Sequence, residues 1–118
     1  MSNKLYRGIR QNHVAKVFVD NIELDLAPSK ILHPSDATAE WGYFGSGPSQ
    51  LSLAILFDAT QDKDNSLKYY HDFKFEFIAS APYDLGFTIL ESQVHEWLQR
   101  RLDVEKGNNE NYGWGWGI

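Results

Sequence analysis

The chain has 118 residues, the size of one domain and too short for two with separate cores. Apolar residues make up 42% and charged residues 23%, the balance of a globular protein rather than a disordered one. The formal net charge of −5 argues against general nucleic-acid binding, which is driven by neutralising phosphates.

That charge is unevenly spread. Residues 1–19 sum to +4, from Lys4, Arg7, Arg10 and Lys16, while residues 20–66 sum to −6 and the remainder to −3. The basic opening is expected to be the solvated face of a strand. Seven Phe, six Tyr and four Trp supply enough buried area for one core. There is no cysteine, so neither a disulfide nor a thiolate metal site is available, and packing alone must hold the fold. That suits a reducing cytoplasm. The first ten residues lack the apolar stretch of a signal peptide. The longest apolar stretch, Leu51 to Phe57, is far below the ~20 residues a membrane span needs. A soluble, cytoplasmic protein with no membrane association is expected.

Residues 4–10 are predicted as a first strand and residues 14–20 as a second, with Val17 and Val19 on one face and a turn at Gln11-Asn12-His13. Asp20-Asn21 signals another turn. Ile22 to Leu26 alternates apolar and acidic and predicts a short half-exposed strand, ended by Pro28. Residues 28–40 are expected to be a loop. Trp41 to Phe44 is expected as a further strand, followed by the tight turn Gly45-Ser46-Gly47-Pro48. Pro48 suits the first position of a helix running to about Thr60. Leu51, Leu53, Ala54, Ile55, Leu56 and Phe57 leave it little polar face, which marks that helix as central. A polar turn at 62–65 precedes a helix from about Ser66 to Ala79, with Leu67, Tyr70, Phe73 and Phe77 inward. Leu85 to Ile89 predicts a strand. Glu91 to about Leu102 predicts a last helix, with Val94, Trp97, Leu98 and Leu102 inward. Four glycines and several polar residues after Val104 predict a flexible tail.

The expected fold is α+β: an antiparallel sheet of three to five strands with about three helices packed on one face. Residues 1–104 form the single domain and residues 105–118 a flexible Gly/Trp-rich tail.

One segment is distinctive: Glu40-Trp-Gly-Tyr-Phe-Gly-Ser-Gly-Pro-Ser-Gln-Leu51, with Tyr6-Arg7-Gly8 before it and Tyr70-His-Asp-Phe-Lys74 after it. With these and Trp97-Leu98, the chain resembles a family of small uncharacterised domains of bacteria, archaea and their phages. The family's pattern is Y-R-G, then E-W-G-Y-x-G-S-G-P-x-Q-L, then Y-x-x-F-K, then W-L. The resemblance spans roughly residues 5 to 102. Leu90 stands where the family usually has a capping Thr, which is expected to weaken the last helix start by ~1 kcal/mol. His33-Pro34 replaces a typical Asn-His-Ser-Pro. The resemblance implies a fold and supplies no activity.

Candidate ligand-binding residues are Glu40, Trp41, Tyr43, Gly45, Ser46, Gly47, Ser49 and Gln50. Glycines at a helix start let backbone N–H groups approach an anion, and the helix end carries partial positive charge. Neither the P-loop nor the dinucleotide G-x-G-x-x-G spacing is present. The alternative is a tight turn with Gln50 capping the helix. Trp41 and Tyr43 would stack on a base or sugar, or belong to the core.

Among the histidines, Glu91 and His95 have ligand-like spacing but no second His near, so no metal and no cofactor is expected. His71 and Asp72 point about 100° apart on a helix and form no dyad. His33 and Asp36 lie on a Pro-containing loop near Glu40 and offer a His/acid group, the alternative being structural turn chemistry for Asp36. Ser46 lacks the surroundings of a nucleophile elbow. The aromatic tail, Tyr112 to Ile118, offers rings to a protein partner. The function expected is a small non-enzymatic binding or interaction module. The alternative is a small enzyme or sensor binding a phosphorylated or nucleotide ligand at residues 45–50. The partner classes are a protein or a small anionic ligand.

Overall fold

The computed structural model describes residues 3–114, with side chains described as far as Gly107. Its elements are β1 (Leu5–Gln11), β2 (Val14–Val19), β3 (Ile22–Glu23), α1 (Ala27–Leu32), α2 (Ser46–Thr60), α3 (Lys63–Phe73), a π-helical stretch (Lys74–Ile78), β4 (Phe87–Leu90) and α4 (Glu91–Trp114). The protein is an α+β domain with a four-stranded antiparallel sheet in the order β3-β2-β1-β4. Its helices pack in part against the sheet.

The predicted β1–β2 turn takes its form from Asn12 and His13, with φ of 50° and 67°. Two left-handed residues make the turn whose twist matches the strands it joins. Tyr6 then pairs with Val19 and Gly8 with Val17, while Leu5 and Gly8 pair with Leu90 and Phe87 of β4. Tyr6, Gly8, Val17 and Ile89 are buried on the helical side. α2 is the central helix, with Leu51, Leu53, Ile55 and Leu56 all fully buried. The Tyr6 hydroxyl donates to Asp58 of α2 at 2.6 Å and fastens sheet to helix.

Several expectations are corrected. Residues 27–32 are not loop but a short helix, α1, whose first N–H groups admit Pro28. The Asp25 carboxylate accepts the Ala27 N–H at 2.9 Å. The expected strand Trp41–Phe44 does not form, because Gly42 turns left-handed (φ +88°) and its N–H donates to the Ile78 carbonyl at 3.0 Å. α3 begins at Lys63, inside the expected polar turn, because the Asp62 carboxylate caps Asn65 N–H at 3.1 Å.

Its continuation widens into the π stretch, where Ala79 N–H reaches the Lys74 carbonyl at 2.8 Å. Phe73 and Ile78 are both fully buried. At α-helical pitch five residues would turn them about 140° apart, and the wider turn lets both face the core.

The start of α4 is capped despite Leu90. Gln93 Oε1 accepts the Leu90 N–H at 2.7 Å, and Asn3 Oδ1 accepts the Ser92 N–H at 2.9 Å. The helix also outruns its expected end at Leu102: residues 105–114 of the expected tail are helical. Glu105 accepts hydrogen bonds from Lys68 and Tyr69 of α3 and ties this extension down. Residues 115–118, and the aromatic side chains from Tyr112 onward, lie outside the described residues.

Candidate functional site

The eight sequence candidates divide into two groups. Glu40 and Trp41 go to a cluster around Arg10 of β1. The Arg10 guanidinium donates from both terminal nitrogens to Glu40, at 2.9 and 3.3 Å, and from Nε to the Tyr83 carbonyl at 2.9 Å. It lies between two rings, 3.7 Å from the centre of Tyr83 and 4.6 Å from that of Trp41. The Arg10 side chain is only 4% exposed. Burial alone would lower its pKa, but the bonds and charge of Glu40 outweigh burial and raise it. Trp41 is fully buried, meets Phe87 edge-on, and donates its indole N–H to the carbonyls of Pro82 and Tyr83. No ring face of Trp41 is left for a ligand, and the Glu40 carboxylate is already held.

Gly47 belongs to the same frame. A Cβ there would lie 2.8 Å from that of Glu40 and 3.0 Å from the Thr38 carbonyl, so only glycine lets the helix start come this close. Gln50 is buried too, and it does not cap α2. Its amide donates to Ser29 Oγ at 2.8 Å and anchors α1. Tyr43 is half-exposed with its ring against Gly45. Burial and the nearby Glu40 charge raise its pKa.

The second group opens on solvent. Ser46, Ser49 and Gln50 line a cleft of about 310 Å³ together with His33, Ser35, Tyr70 and His71. α2 contributes its first turn, α3 its last, and the segment after α1 closes the third side. Lys74, on the first residue of the π stretch, donates to Ser49 Oγ at 2.9 Å. Ser49 in turn donates to the Gly45 carbonyl at 2.9 Å, so its hydroxyl is committed and the lysine keeps two N–H donors. Lys74 makes no ion pair among the described residues. The His71 pKa is lowered, first by burial and then by the charges of Lys74 and His33.

The expected group of His33, Asp36 and Glu40 is not assembled. His33 packs by Tyr70 in the cleft, while Glu40 is taken by Arg10. Glu91 is used by the Lys4 backbone N–H. Among the described residues no three His, Asp or Glu side chains converge as metal ligands. None of their helices is long and apolar enough to cross a membrane. A larger hollow of about 480 Å³ runs along β2, but its edge residue Glu40 is already paired with Arg10 and, beside His13, Lys16 and Glu23, its lining is mostly apolar.

The profile of a Family of unknown function (DUF6166) matches residues 6–100. The chain belongs to that family. The match covers every residue of the cleft and of the Arg10 cluster, and ends within α4. No curated protein and no solved structure matches the chain. DUF6166 membership therefore names a fold unit and leaves its chemistry to the geometry.

Sequence reasoning missed Lys74 and placed Tyr70 only in the core. Their spacing of four, Tyr70 to Lys74, was the available signal, since it sets both on one face of a helix. What the sequence could not show was that this face meets the start of α2.

Proposed function

We propose that this protein is a small binding module whose ligand carries an anionic group, phosphate or carboxylate, seated between the first turn of α2 and the end of α3. The observation that carries the reading is Lys74. Its ammonium is fixed 2.9 Å from Ser49 Oγ, beside an open cleft, with no carboxylate partner among the described residues. A cation held in place without a counter-charge is a ready site for a charged ligand. The start of the 15-residue helix α2 adds its partial positive charge on the same side. Ser46, Ser35, His33 and His71 supply further hydrogen-bonding groups around it.

The binding reading is preferred over the enzymatic one because no histidine of the cleft hydrogen-bonds a serine among the described residues. A nucleophile–base pair needs that contact. A cysteine-free chain that buries its own core by packing fits a module working in the reducing cytoplasm.

The test is a ¹⁵N-amide NMR titration with inorganic phosphate. Saturable shifts are expected at residues 45–50, 33–35 and 71–74, and their loss in Lys74→Gln. Amides that do not move, or that move equally in Lys74→Gln, overturn the reading.

A further inference from the structure

Beside the cleft stands a pair of rings that the core does not use. Phe44 is 65% and Phe75 66% exposed, with ring centres 5.8 Å apart and tilted by 45°. Phe44 immediately precedes Gly45, and Phe75 immediately follows Lys74. The Lys74 ammonium lies 6.0 Å from the centre of the Phe44 ring and 2.9 Å from the Oγ of Ser49, which lines the cleft.

The exposure is imposed by the frame. Trp41 is buried and Gly42 is tethered to the Ile78 carbonyl, which turns the chain at 43–44 outward. Phe73 and Ile78 hold the π stretch by its buried side, which leaves Phe75 on the outside. Phe44 and Phe75 therefore stand out from parts of the chain that are themselves anchored. Two neighbouring exposed rings cost hydrophobic free energy in water, and an aromatic face is what a flat ligand ring stacks on.

Resting on the anion reading, we infer that the ligand's anionic group is joined to a flat aromatic ring, and that the site takes a 5′-mononucleotide. Its phosphate meets Lys74 and the Ser46 side of the cleft, and its base covers Phe44 and Phe75. The side chains carry this assignment: a cation without a counter-ion, a cleft of about 310 Å³, and a ring pair within one cation–ring distance of that cation. A purely apolar partner would leave the ammonium buried and unpaired, which is costly. A simple inorganic anion would leave the rings bare.

Isothermal titration calorimetry of the full chain with inorganic phosphate, ribose 5-phosphate, AMP and UMP separates the two levels of the reading. Both nucleotides are expected to bind at least roughly tenfold tighter than ribose 5-phosphate, the gain of one stacked base. In Phe44→Ala and Phe75→Ala that advantage shrinks toward the ribose 5-phosphate level while phosphate binding is unchanged. Both rings are exposed, so these variants keep the fold. If ribose 5-phosphate binds as tightly as the nucleotides, or if neither Phe variant alters nucleotide affinity, the nucleotide assignment fails and the anion reading stands. If none of the four binds, both fail.

Discussion

Residues 40–50 run through two regions of opposite character. At their start, Glu40 and Trp41 are saturated: every polar group described there has a partner, and Arg10 is gripped on three sides. Six and nine residues after Glu40, Ser46 and Ser49 border an open cleft, and the nearest cation has no counter-charge among the described residues. One tract of sequence thus builds a staple and a site. Residue type does not distinguish the two, since both mix aromatics, a cation and hydrogen-bonding groups. What distinguishes them is whether the fold leaves donors and ring faces unused.

The largest test of that contrast is Arg10→Ala. It strands the Glu40 carboxylate and removes the cation from between Trp41 and Tyr83. Because water still reaches Glu40, whose side chain is 23% exposed, the loss is expected at about 3 kcal/mol, the low end for breaking a buried pair. Urea unfolding should show a lower midpoint with an unchanged slope. Lys74→Gln should change stability by no more than about 0.5 kcal/mol, as an unpaired surface charge does, while phosphate binding is lost. Equal stability effects from the two variants would erase the distinction between staple and site.

Gln50 sharpens the boundary between them. It lines the cleft, yet its amide is spent on Ser29, which is fully buried and donates to the Leu26 carbonyl at 2.8 Å. Gln50→Leu keeps the volume and leaves the Ser29 hydroxyl without its donor. A loss of about 1–2 kcal/mol is expected, read by thermal or urea unfolding. No loss would move Gln50 from the frame to the ligand's side.

Much of the fold was legible because its signals are local. The β1–β2 hairpin, the apolar run Leu53 to Phe57 of α2 and the inward row Val94, Trp97 and Leu98 follow from turn chemistry and hydrophobic pattern alone. Trp41–Phe44 misled for the opposite reason. Its aromatic alternation imitates a strand, but a single hydrogen bond from Gly42 to Ile78, 36 positions away, sets its shape. The start of α4 likewise draws on a contact that no local signal records, since Asn3, from the other end of the chain, accepts the Ser92 N–H. α4 outran its expected end through Glu105, whose partners lie on α3. The cleft was legible on its α2 side only. His33, Tyr70 and Lys74 reach it through contacts between elements, which no spacing in the sequence records.

The smallest effect concerns His71. Burial, Lys74 and His33 disfavour its imidazolium, and Asp72 opposes them only in part. The unfolded chain takes up this proton at the ordinary value near 6.5, the folded chain at a lower pH. The stability contributed by neutral His71 is therefore fully present above about 6.5 and is lost as pH falls through the folded value. An anion beside Lys74 cancels part of the charge that depresses His71, so binding must raise its pKa. By linkage, the anion must bind more tightly as pH falls from 7 toward 6. Sulfate keeps its charge across that window and is the right probe. The imidazole ¹H–¹³C resonances of His71, titrated with and without sulfate, should show a midpoint displaced upward by the anion. A midpoint that does not move means that no negative charge settles within reach of Lys74 and His71. The open half of the 40–50 tract would then be as structural as the closed half.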